Sequence, residues 1–399
     1  MKYNEQPFEY LRRKTSKAEG REPYFDKETI SNWYKARLFV LNKLESITIC
    51  PEEDAHLHVI VLDDDNLMLS VIRHVALYSH FVNYDETNPE ETSRNRTVIT
   101  LVSNNRDIYS ELEKEEFLCN LPKYCKCSLQ GKVKNQNSFI DVELEVVDNW
   151  SEDGNAYKEI RSGKHVEKRL IFTKCDVDSF CATKTDEELF LVDTRKAQYT
   201  SRMYNLGCEI DNLPYEDIHD VKRYSMALGV FQYSMLKKAI GQFVSDEDWK
   251  KEENQSEVLT ALSNIFCSDC YRIRYNSIRP CWENRTITEG QAWEKYYDVL
   301  SKSEHSRWVV EKLVLGFSPF GLHERLKDES LLINKTRREQ YRTELKNNWK
   351  SPMHIDICSF AELRRIDPGT LKYDSFLVLG IPAILKRTGE FTPNKKNKP

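Results

Sequence analysis

The side chains with the clearest chemical potential lie in one segment, residues 304–317 (EHSRWVVEKLVLGF). Wound as a helix at about 100° per residue, this segment carries a broad apolar stripe on one side. Trp308 falls outside the stripe, on the charged side of the helix with Glu304, His305 and Lys312. An indole ring among a carboxylate, an imidazole and an ammonium group can stack on a planar polar ligand. The alternative is that the ring packs beneath a neighbouring loop.

The segment 304–317 closely resembles the signature of the ryanodine-receptor (RyR) domain, a helical module found in calcium-release channels and in bacterial proteins. Further segments resemble the same family: Leu213–Ile218 (LPYEDI), Lys222–Ser225 (KRYS), Lys238–Gly241 (KAIG), His354–Leu363 (HIDICSFAEL), Tyr373–Asp374 and Ile381–Leu385 (IPAIL). Together the matches cover about residues 210–390. The resemblance therefore predicts a helical RyR domain over these residues.

The resemblance also implies a binding function, because RyR domains are ligand or interaction modules and are not known as catalysts. It implies that Trp308 stacks on a nucleotide base and that Glu304 and His305 contact base or ribose edges. Cationic side chains are implied as partners of the phosphates: Arg307, Lys312, Arg223 and Lys238. In bacteria, RyR units are thought to sense nucleotide signals, including cyclic oligonucleotides in anti-phage systems.

An α/β pattern precedes the RyR-like region, over residues 55–209. Apolar runs and period-two alternation predict strands at 57–62, 97–102, 139–147, 170–172 and 188–192, with a helix at 66–81. A crossover helix between two buried strands predicts a parallel sheet. The order of elements resembles the TrkA-type Rossmann module that some bacterial RyR-domain proteins carry before the RyR unit. The predicted fold class is thus α/β plus all-α.

A dinucleotide fingerprint is missing from the first strand-to-helix turn. Such a site needs glycines so that the backbone can approach a pyrophosphate, yet no glycine occurs between Gly20 and Gly131. The turn is instead residues 63–66 (DDDN), whose carboxylates would repel phosphate. We therefore expect no NAD and no other cofactor. The Asp63–Asp65 run could hold Mg²⁺ or Ca²⁺, but aspartates at a helix start more often cap the helix.

Neither a structural metal site nor a catalytic site is predicted elsewhere in the chain. Cys267, Cys270 and Cys281 could supply three zinc thiolates, with His305 as a distant fourth ligand. A structural zinc site usually shows two closely spaced ligand pairs, and this set has one, which favours buried free thiols. The sequence contains neither a G-x-S-x-G elbow nor a P-loop. The chain is therefore predicted not to be an enzyme and to bind no metal.

Bulk properties suit a soluble cytoplasmic protein. The chain has 399 residues, 40% of them hydrophobic, and a net charge of −5, which gives no electrostatic footprint for nucleic acid. No apolar run approaches the ~20 residues of a membrane span, and the first residues lack the apolar core of a signal peptide. Residues 1–54 are interpreted as an arm and a helix, beginning near residue 26, that docks on the following sheet or on a second copy. Residues 391–399 are interpreted as a disordered tail.

Two functions remain in view. The first is a soluble sensor whose RyR domain binds a nucleotide or cyclic-nucleotide signal, in bacterial anti-phage or stress signalling. Its other candidate partners are a second copy of the chain and a separate effector protein, because the sequence shows no effector domain of its own. The alternative is a non-catalytic scaffold whose pockets have decayed. An enzyme built on the α/β region is a third and less favoured hypothesis, since the sequence shows no recognisable set of catalytic residues.

Overall fold

The computed structural model describes residues 27–86, 88, 93–105, 107–108, 112, 120–129, 131–149, 157–189, 196–197, 199–200, 258–284, 287–321, 334–347 and 353–390. Its elements, in chain order, are α1 (Lys27–Leu44), β1 (Ala55–Val61), α2 (Asn66–Tyr78), β2 (Thr97–Val102), α3 (Leu121–Tyr124), β3 (Lys126–Leu129), β4 (Lys132–Lys134), β5 (Val142–Val147), β6 (Tyr157–Ser162), β7 (His165–Phe172), α4 (Lys174–Ala182), α5 (Asp186–Leu189), α6 (Val258–Asp269), α7 (Tyr271–Ile278), α8 (Pro280–Glu283), α9 (Glu289–Val314), β8 (Ser318–Pro319), α10 (Lys335–Asn347), β9 (Met353–His354), α11 (Phe360–Ile366), α12 (Leu371–Leu379) and α13 (Ile381–Arg387). Short 3₁₀ turns cover Ser93–Asn95 and Pro368–Thr370.

A seven-stranded sheet in the order β4-β3-β5-β2-β1-β7-β6 forms the first half of this structure. The five inner strands run parallel, and β4 and β6 pair antiparallel at the two edges. β1 lies between β2 and β7, so the chain leaves β1 toward one side of the sheet and returns later to the other side. The expected α/β class with a largely parallel sheet is confirmed, together with a helical region after residue 258.

One predicted strand is wrong in the part that the structure describes. The strand is predicted at residues 188–192, but Glu188 and Leu189 lie in the short helix α5, and residues 190–192 lie outside the described residues. Thr185 and Glu188 form a reciprocal cap: the Thr185 amide donates to Glu188 Oε2 at 2.8 Å, and the Glu188 amide donates to Thr185 Oγ1 at 3.2 Å. This T-x-x-E pattern satisfies backbone donors at a helix start, which outweighs a short apolar alternation.

Strands β3, β4 and β6 were missed because their sequences are polar. Each offers few apolar side chains to bury, and β4 is exposed along its whole length. β7 begins at His165, five residues before the predicted strand at 170–172, since its first half, HVEKR, reads as a charged segment. Strand pairing with β1 rather than apolar periodicity makes these residues extended.

The two faces of the sheet differ in character. On β1, the side chains of Leu57, Val59 and Val61 are fully buried in the main hydrophobic core. Successive side chains point to opposite faces, so His56 and His58 lie on the other face. Purely parallel sheets are usually covered by apolar contacts on both faces. Here one face carries the core and the other carries polar groups.

The main core continues from the sheet into the helical region. α1 packs on α2, and the apolar stripe predicted for residues 304–317 joins the same core through Val310, Leu313 and Phe317. A buried ion pair, Arg37 Nε to Asp269 Oδ2 at 2.8 Å, links α1 to the end of α6. The predicted domain boundary at residues 209–210 lies outside the described residues, and the parts described on either side of it share this core.

A second core lies among the later helices. It joins α7, α9, α12 and α13 through Tyr271, Trp293, Leu300, Phe376 and Ile381. α12 packs along α9, which places the segment Leu371–Leu379 beside the helix that carries Trp308. Across the described ranges, none of the helices combines the length and the apolar character that a membrane crossing requires.

Candidate functional site

Trp308 is positioned by α9, a helix of 26 residues. Thr288 and Gln291 form a capping box at its N-terminus, so the helix begins 15 residues before the segment that the sequence analysis recognised. The C-terminal half of α9 is anchored in the main core by its apolar stripe. Trp308 lies outside that stripe and is half-buried, and it too packs against the main core.

Two imidazoles and one ammonium group surround the Trp308 indole. The ring of His305 stacks nearly parallel to it, with centroids 6.0 Å apart and an interplanar angle of 19°. The ring of His354 meets it edge-on at 4.9 Å and 80°. Lys312 Nζ lies 5.4 Å from the indole centroid, within the range of a cation–π contact. The indole thus lies in an environment rich in nitrogen-bearing side chains.

His305 is buried and kept protonated by its partners. Burial by itself would lower the pKa of His305, but its contacts with Asp374 and Cys358 outweigh burial and raise the pKa well above the ordinary value of 6.5. Nδ1 lies 3.5 Å from Asp374 Oδ2, and Nε2 donates to the Cys358 carbonyl at 2.8 Å. A cation therefore lies beside the indole, in an arrangement that cation–π attraction stabilises.

The charged residues behind Trp308 form what we name the helix cluster: Arg274, Glu304, Arg307, Glu311 and Lys312. Glu304 and Arg307 are 0% and 1% exposed. Arg307 Nη2 donates to Glu304 Oε1 at 2.8 Å and Arg307 Nη1 to Glu311 Oε2 at 2.6 Å. Lys312 Nζ donates to Glu311 Oε1 at 2.6 Å. Burial would raise the pKa of Glu304, but the charges of Arg307 and Arg274 lower it below its ordinary value.

The ion pairs of the helix cluster affect two of the predicted ligand contacts, those of Glu304 and Arg307. The family resemblance implies that Glu304 contacts base or ribose edges and that Arg307 meets phosphates. In the structure, both side chains are buried: Glu304 is paired with Arg307 and Arg274, and Arg307 is paired with Glu304 and Glu311. A helical wheel placed Glu304 on a charged side of α9, but Arg274 of α7 covers that side. The arrangement supports a structural role for Glu304 and Arg307.

The other predicted ligand residues divide into two groups. Trp308, His305 and Lys312 are brought together, with Lys312 8% exposed at the edge of the helix cluster. Arg223 and Lys238 lie outside the described residues. His354 was quoted only as part of a motif, and it is a direct neighbour of Trp308 in the structure. A histidine that opens a segment resembling the same family was the available sequence signal for it.

The aspartate run after β1 serves as a set of caps. Asp65 is the N-cap of α2 and accepts from the Met68 amide at 3.0 Å. Asp63 accepts from the Lys174 amide at the start of α4 at 2.7 Å, and Lys174 Nζ pairs with Asp65 at 2.6 Å. The structure thus shows the capping role that the sequence analysis favoured over a cation site.

The three candidate zinc thiols are all buried. Burial raises the pKa of Cys267 well above its ordinary value and that of Cys270 to about 12. Cys270 Sγ contacts the Leu77 carbonyl at 3.9 Å, and Cys281 is packed in the second core. Thiolates are the zinc-binding form of cysteine, so these environments favour the free thiols that were expected.

A second polar group, missed by the sequence analysis, lies on the polar face of the sheet. We name it the sheet-face cluster: Asp54, His56, His58, His165, Glu167 and Arg169. His58 Nδ1 donates to Glu167 Oε1 at 2.7 Å, and His56 Nδ1 lies 2.8 Å from His165 Nε2. His165 Nδ1 in turn lies 2.7 Å from Asp54 Oδ1. The H-x-H spacing of β1 was its only local signal, because its partners are 109 residues away.

Hydrogen bonds set the protonation of Glu167. Burial would raise its pKa, but donors from His58 and Arg169 lower it to about 2. Burial, followed by the neighbouring His165, lowers the pKa of His56 to about 4. At neutral pH the cluster therefore combines a carboxylate with a neutral imidazole.

Comparison with known proteins does not extend these observations. The chain matches no protein-family model, no curated protein and no solved structure. The fold class and the two clusters therefore stand on the geometry of this chain alone.

Proposed function

We propose that this chain is a ligand-sensing protein of the RyR-domain type, with a degenerate Rossmann-like domain before the RyR domain. In this proposal Trp308 stacks on the planar base of a nucleotide or cyclic-nucleotide signal. The observation that carries the proposal is the half-buried Trp308 indole, fixed between His305 and His354 with Lys312 Nζ 5.4 Å from its centre. The chain binds the signal without transforming it.

The convergence of three separate sequence segments supports the RyR assignment. The segment that begins at His354 reaches Trp308 through that histidine, at 4.9 Å. Asp374, from the third segment, approaches His305 Nδ1 to 3.5 Å. The three segments that resemble one family thus lie together around His305 and Trp308, although up to 70 positions separate them.

Two cations beside Trp308, each also paired with a protein carboxylate, are the groups that would meet an anionic planar ligand in this proposal. His305 is cationic and lies along the ring, and the ammonium of Lys312 lies at the same ring. An aromatic face with cations at its border suits a base that carries phosphates. Glu304 and Arg307 act indirectly in this proposal: their ion pair holds α9 in place and neutralises the interior behind Trp308. Arg223 and Lys238 remain proposed phosphate contacts.

The first test is a thermal-shift screen of the full chain against ATP, ADP-ribose, NAD and a panel of cyclic di- and trinucleotides. A ligand at about a hundred times its dissociation constant adds about 2.7 kcal/mol to the free energy of unfolding, which raises the melting midpoint. We expect a hit that is lost in Trp308→Ala. The matched control is Trp282→Ala, which removes another half-buried indole, packed against the second core.

A second candidate function is a scaffold or partner-binding protein. The buried ion pairs of Glu304 and Arg307 favour this alternative. Because each of these charged groups already has a protein partner, neither is available to contact a ligand. A flat thermal-shift panel, or a hit retained by Trp308→Ala, would count against base stacking and favour this alternative. Co-purification of an effector with the chain would then be the next measurement.

A further inference from the structure

The sheet-face cluster brings together side chains of the types that bind transition metals. His56 and His58 project from the same face of β1, two residues apart. Glu167 on β7 is the register partner of His56 in the parallel pair. One potential ligand atom from each of these three residues lies within 4.8 Å of the other two, the only such trio of metal-binding side chains found in the described part of the chain.

We propose that His56, His58 and Glu167 bind a divalent transition metal of the zinc type. Two imidazoles and one carboxylate form a donor set that suits Zn²⁺, Co²⁺, Ni²⁺ and Fe²⁺ rather than Ca²⁺ or Mg²⁺, which prefer oxygen ligands. The metal takes the place of the proton shared between His58 Nδ1 and Glu167 Oε1, which are 2.7 Å apart. The shared proton leaves to solvent as the metal enters.

The groups behind the three ligands are arranged as orienting partners. His58 Nε2 lies 2.8 Å from Thr100 Oγ1, and Thr100 Oγ1 donates to Glu145 Oε2 at 2.8 Å. Since the threonine proton is committed to Glu145, His58 Nε2 donates to Thr100. A metal-binding histidine typically donates its other N–H in this way, which fixes the ring and raises its basicity.

His56 has a comparable chain of partners. Its Nδ1 lies 2.8 Å from His165 Nε2, and the other nitrogen of His165 lies 2.7 Å from Asp54 Oδ1. The His56 and His165 rings are stacked, with centroids 5.0 Å apart and an interplanar angle of 13°. Glu167 is held by Arg169, whose Nε donates at 2.7 Å to Oε1, the same oxygen that accepts from His58. All three proposed ligands are thus oriented before any metal arrives.

The cluster is also open to solvent at its margin. The side chains of His165 and Glu167 are 18% and 19% exposed, and that of Asp54 is 27% exposed. A metal therefore has a path to the three ligands, which a buried trio would lack. Three protein ligands leave at least one coordination position for water, as in catalytic rather than structural zinc sites. The inference is independent of nucleotide binding at Trp308.

The test is equilibrium dialysis of the untagged full chain, stripped with a chelator, against Zn²⁺, with bound metal measured by mass spectrometry. We expect one Zn²⁺ per chain and at least about a tenfold loss of affinity in His58→Ala and in Glu167→Gln. The matched control is Glu143→Gln, which changes a carboxylate on the same face, at the site of the Lys126 pair, without touching the trio. Its affinity should equal that of the unmodified chain.

Co²⁺ gives a readout that does not depend on a variant folding. The unmodified chain should develop the visible absorption of nitrogen-ligated Co²⁺, and Zn²⁺ should displace it. Failure of the unmodified chain to retain Zn²⁺ would overturn the proposal. Equal losses in Glu143→Gln and Glu167→Gln would overturn it as well, because they would indicate adventitious binding to the acidic groups of the sheet.

Discussion

The helix cluster and the sheet-face cluster use similar residue types in opposite ways. In the helix cluster, Glu304 and Glu311 are both 0% exposed, and their carboxylates accept from arginine and lysine donors of the cluster. In the sheet-face cluster, His165 and Glu167 keep nearly a fifth of their side-chain surface in solvent. The comparison shows that charge and residue type alone do not mark a site. A polar network that water cannot reach stabilises the fold, whereas one whose side chains are partly exposed to solvent can also bind a ligand.

The difference follows from where each cluster sits. The helix cluster lies between α6, α7 and α9, where helices pack on several sides and water is excluded. Desolvated charges persist there only because each is paired. The sheet-face cluster lies on the polar face of the sheet, where imidazoles and carboxylates keep contact with solvent. Closed pairs stabilise the fold, whereas partly solvated groups can exchange a proton for a ligand.

The largest expected effect tests the closed character of the helix cluster. Glu304→Gln removes the carboxylate shared by Arg274 and Arg307 and leaves two buried guanidinium groups without it. Loss of one partner of a buried pair costs about 3–5 kcal/mol, so the free energy of unfolding in urea should fall by that amount. The control is Glu294→Gln, an exposed position on the same helix, which should change stability by less than about 0.5 kcal/mol. Equal effects of the two substitutions would contradict a closed cluster.

The second prediction concerns His305, which lies at the border between the helix cluster and the surface of Trp308. His305→Gln removes the buried cation that contacts Asp374 and Cys358, and should cost about 1.5–3 kcal/mol at pH 6. The pKa of His305 is raised in the folded state. Its contribution to the free energy of unfolding is therefore complete below about pH 6.5 and is lost as the pH rises through the pKa of the folded state.

The measurement for His305 is the difference in unfolding free energy between the unmodified chain and the variant at pH 6 and at pH 9. We expect a smaller difference at pH 9. Asp374, Glu86 and Cys358 are the other titratable groups that interact with this imidazole. A difference that grows with pH would mean that His305 is neutral in the folded protein, and the cationic environment proposed for Trp308 would have to be abandoned.

The smallest expected effect concerns an ordinary ion pair on the polar face of the sheet. Lys126 Nζ lies 2.8 Å from Glu143, and the two side chains are 27% and 17% exposed. A partly solvated pair contributes about 0–1 kcal/mol, so Lys126→Met should lower the free energy of unfolding by no more than that. A loss approaching that of Glu304→Gln would show that this face of the sheet is as closed as the helix cluster, and it would remove the contrast between them.

Local pattern alone gave much of the sheet and of the helix that carries Trp308. The buried strands at 57–62 and 97–102 and the helix at 66–81 follow from apolar runs, and they are found at Ala55–Val61, Thr97–Val102 and Asn66–Tyr78. These segments form regular elements because their own apolar side chains must be buried against the core. The short polar strand Lys132–Lys134 was missed since its extended form depends on a neighbouring strand rather than on its own residues.

The sequence by itself determined the α/β class and the apolar stripe of α9, and through that stripe the position of Trp308 on another side of the helix. Tertiary structure alone decided which polar residues are available. Arg274 pairs with the buried Glu304 from 30 positions away, and β7 brings Glu167 to His58 across 109 positions. Periodicity reports which face of an element a side chain occupies. Only packing decides what lies opposite that face, and therefore whether a charge is neutralised or remains able to bind.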